Sequence, residues 1–214
     1  MSGLALSRLA FQLDISNHVF ASLRRKMYAQ PDVMRKCWVV MNRILEKYPP
    51  KKNENKFVYG KCCEEILMRC MNEFEPCVSL DDEMKQGACY KNDCLFPNID
   101  ILLSIKCSKS GGSIILINKH TKSTHNIEGL RFAIVHFEHR RIYMFTHSPE
   151  YEKFVKDSGS NVKYKSSIFT HLKQNPQNYY EFPSHFDKYL RPAEEEYIFK
   201  DIVSRELDDY HKKL

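Results

Sequence analysis

Apolar residues recur at two periods along this chain, and the period changes near its middle. From Asp32, the stretch DVMRKCWVVMNRILEKY sets Val33, Met34, Cys37, Trp38, Met41, Ile44, Leu45 and Tyr48 on one stripe. Helical spacing of this kind predicts an amphipathic helix, with Asp32 as its N-cap and Pro49-Pro50 ending it. PPKKNEN is a polar connector, and a second helix is expected from about 55 to 74 with Phe57, Cys63, Ile66, Leu67, Cys70 and Phe74 inward. The opening segment also reads as helix. Strands are expected at 99–106, 113–120, 130–137 and 142–146, the last two joined by the tight turn EHRR. HSPEYEKFVKDSG then reads as a short helix with Ser148 as N-cap, Pro149 at its first position and Gly159 beyond its end. Residues 160–190 are loop-rich. The closing segment has Pro192 and glutamates in its first turn and His211, Lys212 and Lys213 in its last, suiting a helix dipole.

Helices, then a mostly antiparallel sheet, then a helix make an α+β (mixed α/β) domain. At 214 residues the chain is expected to form one domain: an N-terminal helical part over 1–50, an α+β core over 51–190 and a C-terminal helix over 191–214. With 43% hydrophobic residues it can bury a full core. Its longest apolar runs, ILLSI and IILI, fall far short of a membrane span, and the first segment lacks the pattern of a signal peptide. An intracellular protein, cytoplasmic or nuclear, with no membrane partner is expected. The eight cysteines include the adjacent pair Cys62 and Cys63, which suits reduced, core-filling thiols better than a disulfide framework. CYKNDC, with Cys89 and Cys94, is the nearest approach to a zinc pair and lacks the ligand spacing of one. A net charge of +6, spread along the chain, is compatible with nucleic acid or an acidic partner.

The most device-like stretch is NIDILLSIKCSKSGGSIILINK, residues 98–119. If it folds as a hairpin with Lys106 opposite Ser113, antiparallel pairing sets Asp100 opposite Lys119. Ile101, Leu103, Ile105, Ile114 and Leu116 then form a core face, and the two charged residues can form a cross-strand ion pair. The same layout resembles the PD-(D/E)xK nuclease superfamily, in which an Asp opens one strand, an acid-x-Lys lies on the next, and a Glu comes from the preceding helix. On that resemblance Asp100, Lys119 and Glu65 (or its neighbour Glu64) take the catalytic positions, with Asp100 and Glu65 holding Mg²⁺ or Mn²⁺. The sequence departs from the family at Ile117, which stands where an acid is needed. A second alignment is similar to the N-terminal cap-snatching endonuclease domain of orthomyxovirus (viral) polymerase acidic subunits, matching NKFVYGKCCEEILMRC, FPN and LSIKCSKSGGSIILINK. There Cys63 replaces the metal-binding histidine, Asn98 the aspartate and Ser104 the glutamate, while Lys119 is retained.

Both alignments keep the lysine and lose acids. They imply a nucleic-acid-binding protein with a degenerate nuclease-like core that does not carry out metal-dependent cleavage. Lys106, Lys109, Arg140 and Arg141 are the expected contacts to RNA or DNA. Two other functions fit the same residues: a non-enzymatic protein that binds a protein partner, and an active metal-dependent endonuclease. No organic cofactor is expected, since KSGGS lacks the strand-loop-helix setting of a phosphate loop. His136 and His139 straddle the EHRR turn and can face one another as a ligand or acid–base pair. Cys62 or Cys63, near a helix start, is a candidate low-pKa thiol. The closing helix carries Tyr197, Ile198, Asp201, Ile202 and Arg205 along one side, suited to packing on the domain or on a partner.

Overall fold

The helical stripes of the first third fold against one face of a sheet that the middle of the chain supplies. The computed structural model describes residues 3–49, 53–80, 92–110, 112–118, 127–157, 161–189 and 200–205. Three helices come first: α1 (Gly3–Ala29), α2 (Pro31–Lys47) and α3 (Asn53–Asn72). The α2 stripe is as expected, with Met34, Cys37, Trp38, Met41 and Ile44 buried and Val33, Leu45 and Tyr48 packed against them. Its start is two residues earlier than the sequence suggests. Gln30 occupies the N-cap without a side-chain bond, Pro31 takes the first helical position, and Asp32 lies in the first turn, where its charge suits the helix dipole. No described helix is long and apolar enough to cross a membrane.

Among the described residues nine strands follow: β1 (Val78–Ser79), β2 (Cys94–Phe96), β3 (Ile101–Ser108), β4 (Ile114–Asn118), β5 (Arg131–His136), β6 (Arg141–Thr146), β7 (Val155–Asp157), β8 (Asn161–Tyr164) and β9 (Tyr179–Glu181). Six form a sheet in the order β1-β2-β3-β5-β6-β9, antiparallel except for the parallel pair β3–β5. A smaller antiparallel sheet runs β4-β8-β7. The fold is α+β, with helices at both ends, residues 200–205 being helical.

The large sheet is covered on both faces. Leu103, Ile105, Ala133, Val135, Ile142 and Met144 pack under the three helices. Phe132, Ile134, Tyr143 and Phe145 face the other way and join Ile114, Leu116, Val162 and Tyr164 of the small sheet and α4 (Ser167–Leu172).

The expected hairpin of β3 with β4 is not formed. β3 already has neighbours on both edges, β2 through Cys94↔Leu103 and Phe96↔Ile101, and β5 through Ser104↔Phe132 to Ser108↔His136. A parallel neighbour requires a crossover of a dozen or more residues. β4 lies inside that crossover and pairs with β8 in the second layer, Ile114 opposite Tyr164. Asp100 therefore does not oppose Lys119, which lies outside the described residues. The turn that does reverse the chain is 97–100, where Asp100 adopts φ 48°, a left-handed conformation that Asp tolerates. The expected helix after Ser148 is a single 3₁₀ stretch, Pro149–Phe154, without a side-chain cap bond, and it runs directly into β7.

The β5–β6 turn is tied to the helices by one carboxylate. Arg140, at φ 56°, donates from Nη1 to both oxygens of Asp187 at 2.7 and 2.6 Å, and from Nη2 to the Pro183 carbonyl at 2.7 Å. Trp38 Nε1 donates to Asp187 at 3.0 Å, and the guanidinium lies 4.8 Å from the Trp38 ring. Burial alone would raise the Asp187 pKa, but the hydrogen bonds from Arg140 and Trp38 hold it below the ordinary carboxylate value. Asp187 is about half exposed, so solvent screens the pair, and Asp187→Ala is expected to cost about 1 kcal/mol in urea unfolding at neutral pH. Because the folded pKa is depressed, that contribution is complete above about pH 4 and fades as pH falls through the folded value; wild type and variant should converge there.

Candidate functional site

Where β2 ends, β3 loses a neighbour and Asp93 takes its place. The Asp93 N–H donates to the Leu103 carbonyl at 2.8 Å, continuing the β2 ladder by one residue. Its carboxylate Oδ2 then accepts from the Ile105 N–H at 2.7 Å, the Lys106 ammonium at 3.0 Å and the Ser104 hydroxyl at 3.2 Å. Lys106 Nζ also donates to the Ile105 carbonyl at 2.8 Å. One carboxylate oxygen thus satisfies a free strand-edge amide and neutralises a lysine, and both side chains are largely buried.

Beside this edge, between α3 and the end of β3, lies an open pocket of about 550 Å³. Lys56 and Lys61 of α3 and Lys106 and Lys109 of the β3 segment line it, against a single acid, Glu64. Lys61 pairs with Glu64 at 3.2 Å and Lys106 with Asp93. Lys56 and Lys109 are exposed and have no carboxylate partner among the described residues, which leaves the pocket mouth positive. Gly60 stands mid-helix on its wall, and a Cβ there would meet no atom within 4 Å. A mid-helix glycine costs about 0.5–1 kcal/mol relative to alanine. Packing does not require this one; it keeps the pocket wall low.

The residues expected from sequence fall in different places. Lys106 and Lys109 are at this pocket. Glu65 is not: it binds Arg69 and Arg205, fastening α3 to the helical segment 200–205, where Ile202 is buried. Asp100 is exposed in the β2–β3 turn, before β3 rather than on it. Lys119, His120 and His125 lie outside the described residues, as does Cys89. Arg140 is held by Asp187, and Arg141 binds Glu181 at 2.9 Å while its guanidinium lies 4.1 Å from the Tyr179 ring centroid, so both serve the fold. Among the described residues no group of three or more His, Cys, Asp or Glu side chains is placed to hold a metal ion.

Asp93 and Gly60 were missed, although each left a trace in the sequence. Asn92-Asp93 stands directly before the strand CLF, and the turn residues PNID between CLF and ILLSI mark the real hairpin. None of Cys37, Cys62, Cys63, Cys70, Cys77, Cys94 and Cys107 is in a disulfide. Burial, with a thiol hydrogen bond to Cys107, pushes the Cys63 pKa up, so this thiol is not the activated nucleophile its helix position suggests. His136 and His139 do face one another, as parallel rings 3.6 Å apart. His136 is wholly buried; its Nδ1 accepts the His139 N–H, and its Nε2 has no partner. Burial first, then the neighbouring His139 and Lys173, lowers its pKa to about 3.

No family model matches the chain, and neither does any curated protein or solved structure.

Gly60→Ala is expected to raise unfolding stability by about 0.5–1 kcal/mol, read by urea titration; a loss would show that the helix needs glycine there. For His136 the folded pKa lies below the unfolded value near 6.5, so the unfolded chain binds the proton first as pH falls. Stability should be complete above about pH 7 and decline below it by roughly 1 kcal/mol per pH unit until about pH 3. His136→Phe should show a visibly smaller drop between pH 7.5 and 5.

Proposed function

We propose that the chain binds nucleic acid in the lysine-lined pocket at the free edge of β3, through a nuclease-like core that holds a phosphodiester strand without metal-dependent cleavage. One observation carries this: the Lys106 ammonium sits between Asp93 Oδ2 and the Ile105 carbonyl, at the edge where the resembled nucleases gather acids around a metal. The layout described for that superfamily has a counterpart here in a different register. Asp93 precedes β2, Ser104-Ile105-Lys106 on β3 stands for acid-x-Lys, and Glu64 on α3 lines the same pocket. The residues do not fit Mg²⁺ or Mn²⁺. Such ions need several hard oxygen ligands, whereas the second acid position is the serine hydroxyl of Ser104 and Asp93 Oδ2 already accepts three donors, one of them a cation.

Binding then rests on charge. Lys56 and Lys109 supply mobile ammonium groups for strand phosphates at the pocket mouth, and the open shape admits a backbone rather than an isolated small molecule. A protein partner has less support, because the exposed large apolar side chains among the described residues, Ile15 and Tyr28 of α1, Val78 of β1, Ile115 of β4 and Tyr189, are scattered along the chain.

Fluorescence anisotropy with labelled RNA and DNA oligonucleotides over a salt series tests this. The logarithm of affinity should fall linearly with that of salt, and the double variant Lys56→Ala, Lys109→Ala should lower the slope by about 1–2. A slope near zero would sink the binding half. Cleavage of either oligonucleotide with Mn²⁺ that disappears in Asp93→Asn would overturn the non-catalytic half.

A further inference from the structure

A second cavity, of about 350 Å³, lies away from the lysine pocket, where α1 meets β6 and the segment after α4. In its wall is Arg24, only 8% exposed. Its Nη1 is buried and has no hydrogen-bond partner, and the guanidinium forms no salt bridge with a carboxylate among the described residues. Burial lowers its pKa, and the opposing influence comes from Tyr28, not from an acid. A guanidinium remains charged at neutral pH, so Arg24 is a buried cation with no counter-ion among the described residues.

Such a group is costly unless something pairs with it. The rest of the cavity is suited to supply that something from outside. Asn17, Gln174, Asn175, Gln177 and Asn178 bring amide side chains to its rim, each able to donate and to accept. Asn175 Oδ1 is engaged by the Gln177 N–H at 2.9 Å, which fixes that stretch of the rim. Among the described residues the one acid lining the cavity, Glu150, is exposed.

We infer that this cavity is a binding site for a small oxyanion, a carboxylate or phosphate ester, whose charged end pairs with Arg24 and whose polar body is held by the amide rim. A planar guanidinium matches two oxygens of either group at once. The volume is at the lower end for ligand pockets, which favours a small molecule over a polymer segment. The site is independent of the lysine pocket and of the function assigned there.

The test is calorimetry and thermal unfolding of the full chain with inorganic phosphate, citrate and a 5′-mononucleotide, each against sodium chloride at equal ionic strength. At least one oxyanion should bind saturably and raise the melting temperature; phosphate and mononucleotide acting without citrate would indicate a phosphate ester, and the reverse a carboxylate. Arg24→Met should lose that response while melting no lower than wild type without ligand, since it removes an unpaired buried charge. Should that variant not fold, Gln174→Glu, at an exposed rim position, adds a like charge facing the ligand and should weaken binding by about fivefold or more. No saturable response to any of the three, or a response unchanged in Gln174→Glu and Arg24→Met, overturns the inference. A Lys109→Ala control should bind the oxyanion as wild type does; loss there would assign the effect to the other pocket.

Discussion

Beyond Leu103 the outer edge of β3 has no strand beside it, and a bare strand edge inside a fold must find hydrogen bonds or solvent. Asp93 resolves this with one side chain. Its backbone extends the β2 ladder and its carboxylate reaches the next amide, so the edge is closed for one residue and then left open. The opening is the pocket. Lys106 is drawn to the same carboxylate, which fixes a cation at the pocket's inner end, while Lys56 and Lys109 stay free at its mouth. A longer β2 would pair with the rest of β3 and leave no site. The fold and the candidate function therefore depend on the same carboxylate.

Much of the architecture was legible because it is written in periodicity. The α2 stripe, the EHRR turn, strands β3 to β6 and the α+β order follow from spacing that local physics enforces, whereas the short strands β1, β2, β7, β8 and β9, and α4 within the stretch expected to be loop-rich, do not. Pairing was not legible in the same way. ILLSI and IILI both read as apolar strands, but β3 is buried on both faces while β4 alternates, Ile114 buried, Ile115 exposed and Leu116 buried. A strand covered on both faces belongs inside a sheet, and β3 lies between β2, which pairs with Ile101–Leu103, and β5, which pairs with Ser104–Ser108. Proximity in sequence favoured a hairpin between them; the central position of β3 decided against it. The choice between Glu64 and Glu65 was similarly beyond spacing, since adjacent helix residues point about 100° apart and only the neighbours, Lys61 for one and Arg69 with Arg205 for the other, separate them.

Buried polar groups divide into those the fold satisfies and those it does not. Asp93 and the His147–Tyr164 pair, with Glu152 on the other ring nitrogen, are satisfied from within. Arg140, Asp187 and Trp38 at the EHRR corner share donors and acceptors completely enough to hold Arg140 in a left-handed turn. His136 is accommodated differently. It stacks on His139, edges against Phe169, and stays neutral, so its unpaired nitrogen leaves a modest desolvation cost rather than a buried charge.

Arg24 has no such escape. Histidine can shed its proton at a pH the protein meets, whereas a guanidinium cannot, so its burial without a partner remains a charge in a low-dielectric wall at every working pH. The two cavities thus present opposite electrostatic designs. At the mouth of the β3 pocket Lys56 and Lys109 are long and exposed, which suits many weak contacts along a flexible polyanion. At α1 the cation is single, immobile and already stripped of water, so little further desolvation is needed when an anion pairs with it. A site of the first kind gains affinity from the number of phosphates it meets. A site of the second kind gains it from the fit of one group, which supports the small ligand proposed for the cavity of Arg24 and the strand proposed for the pocket of Lys56 and Lys109.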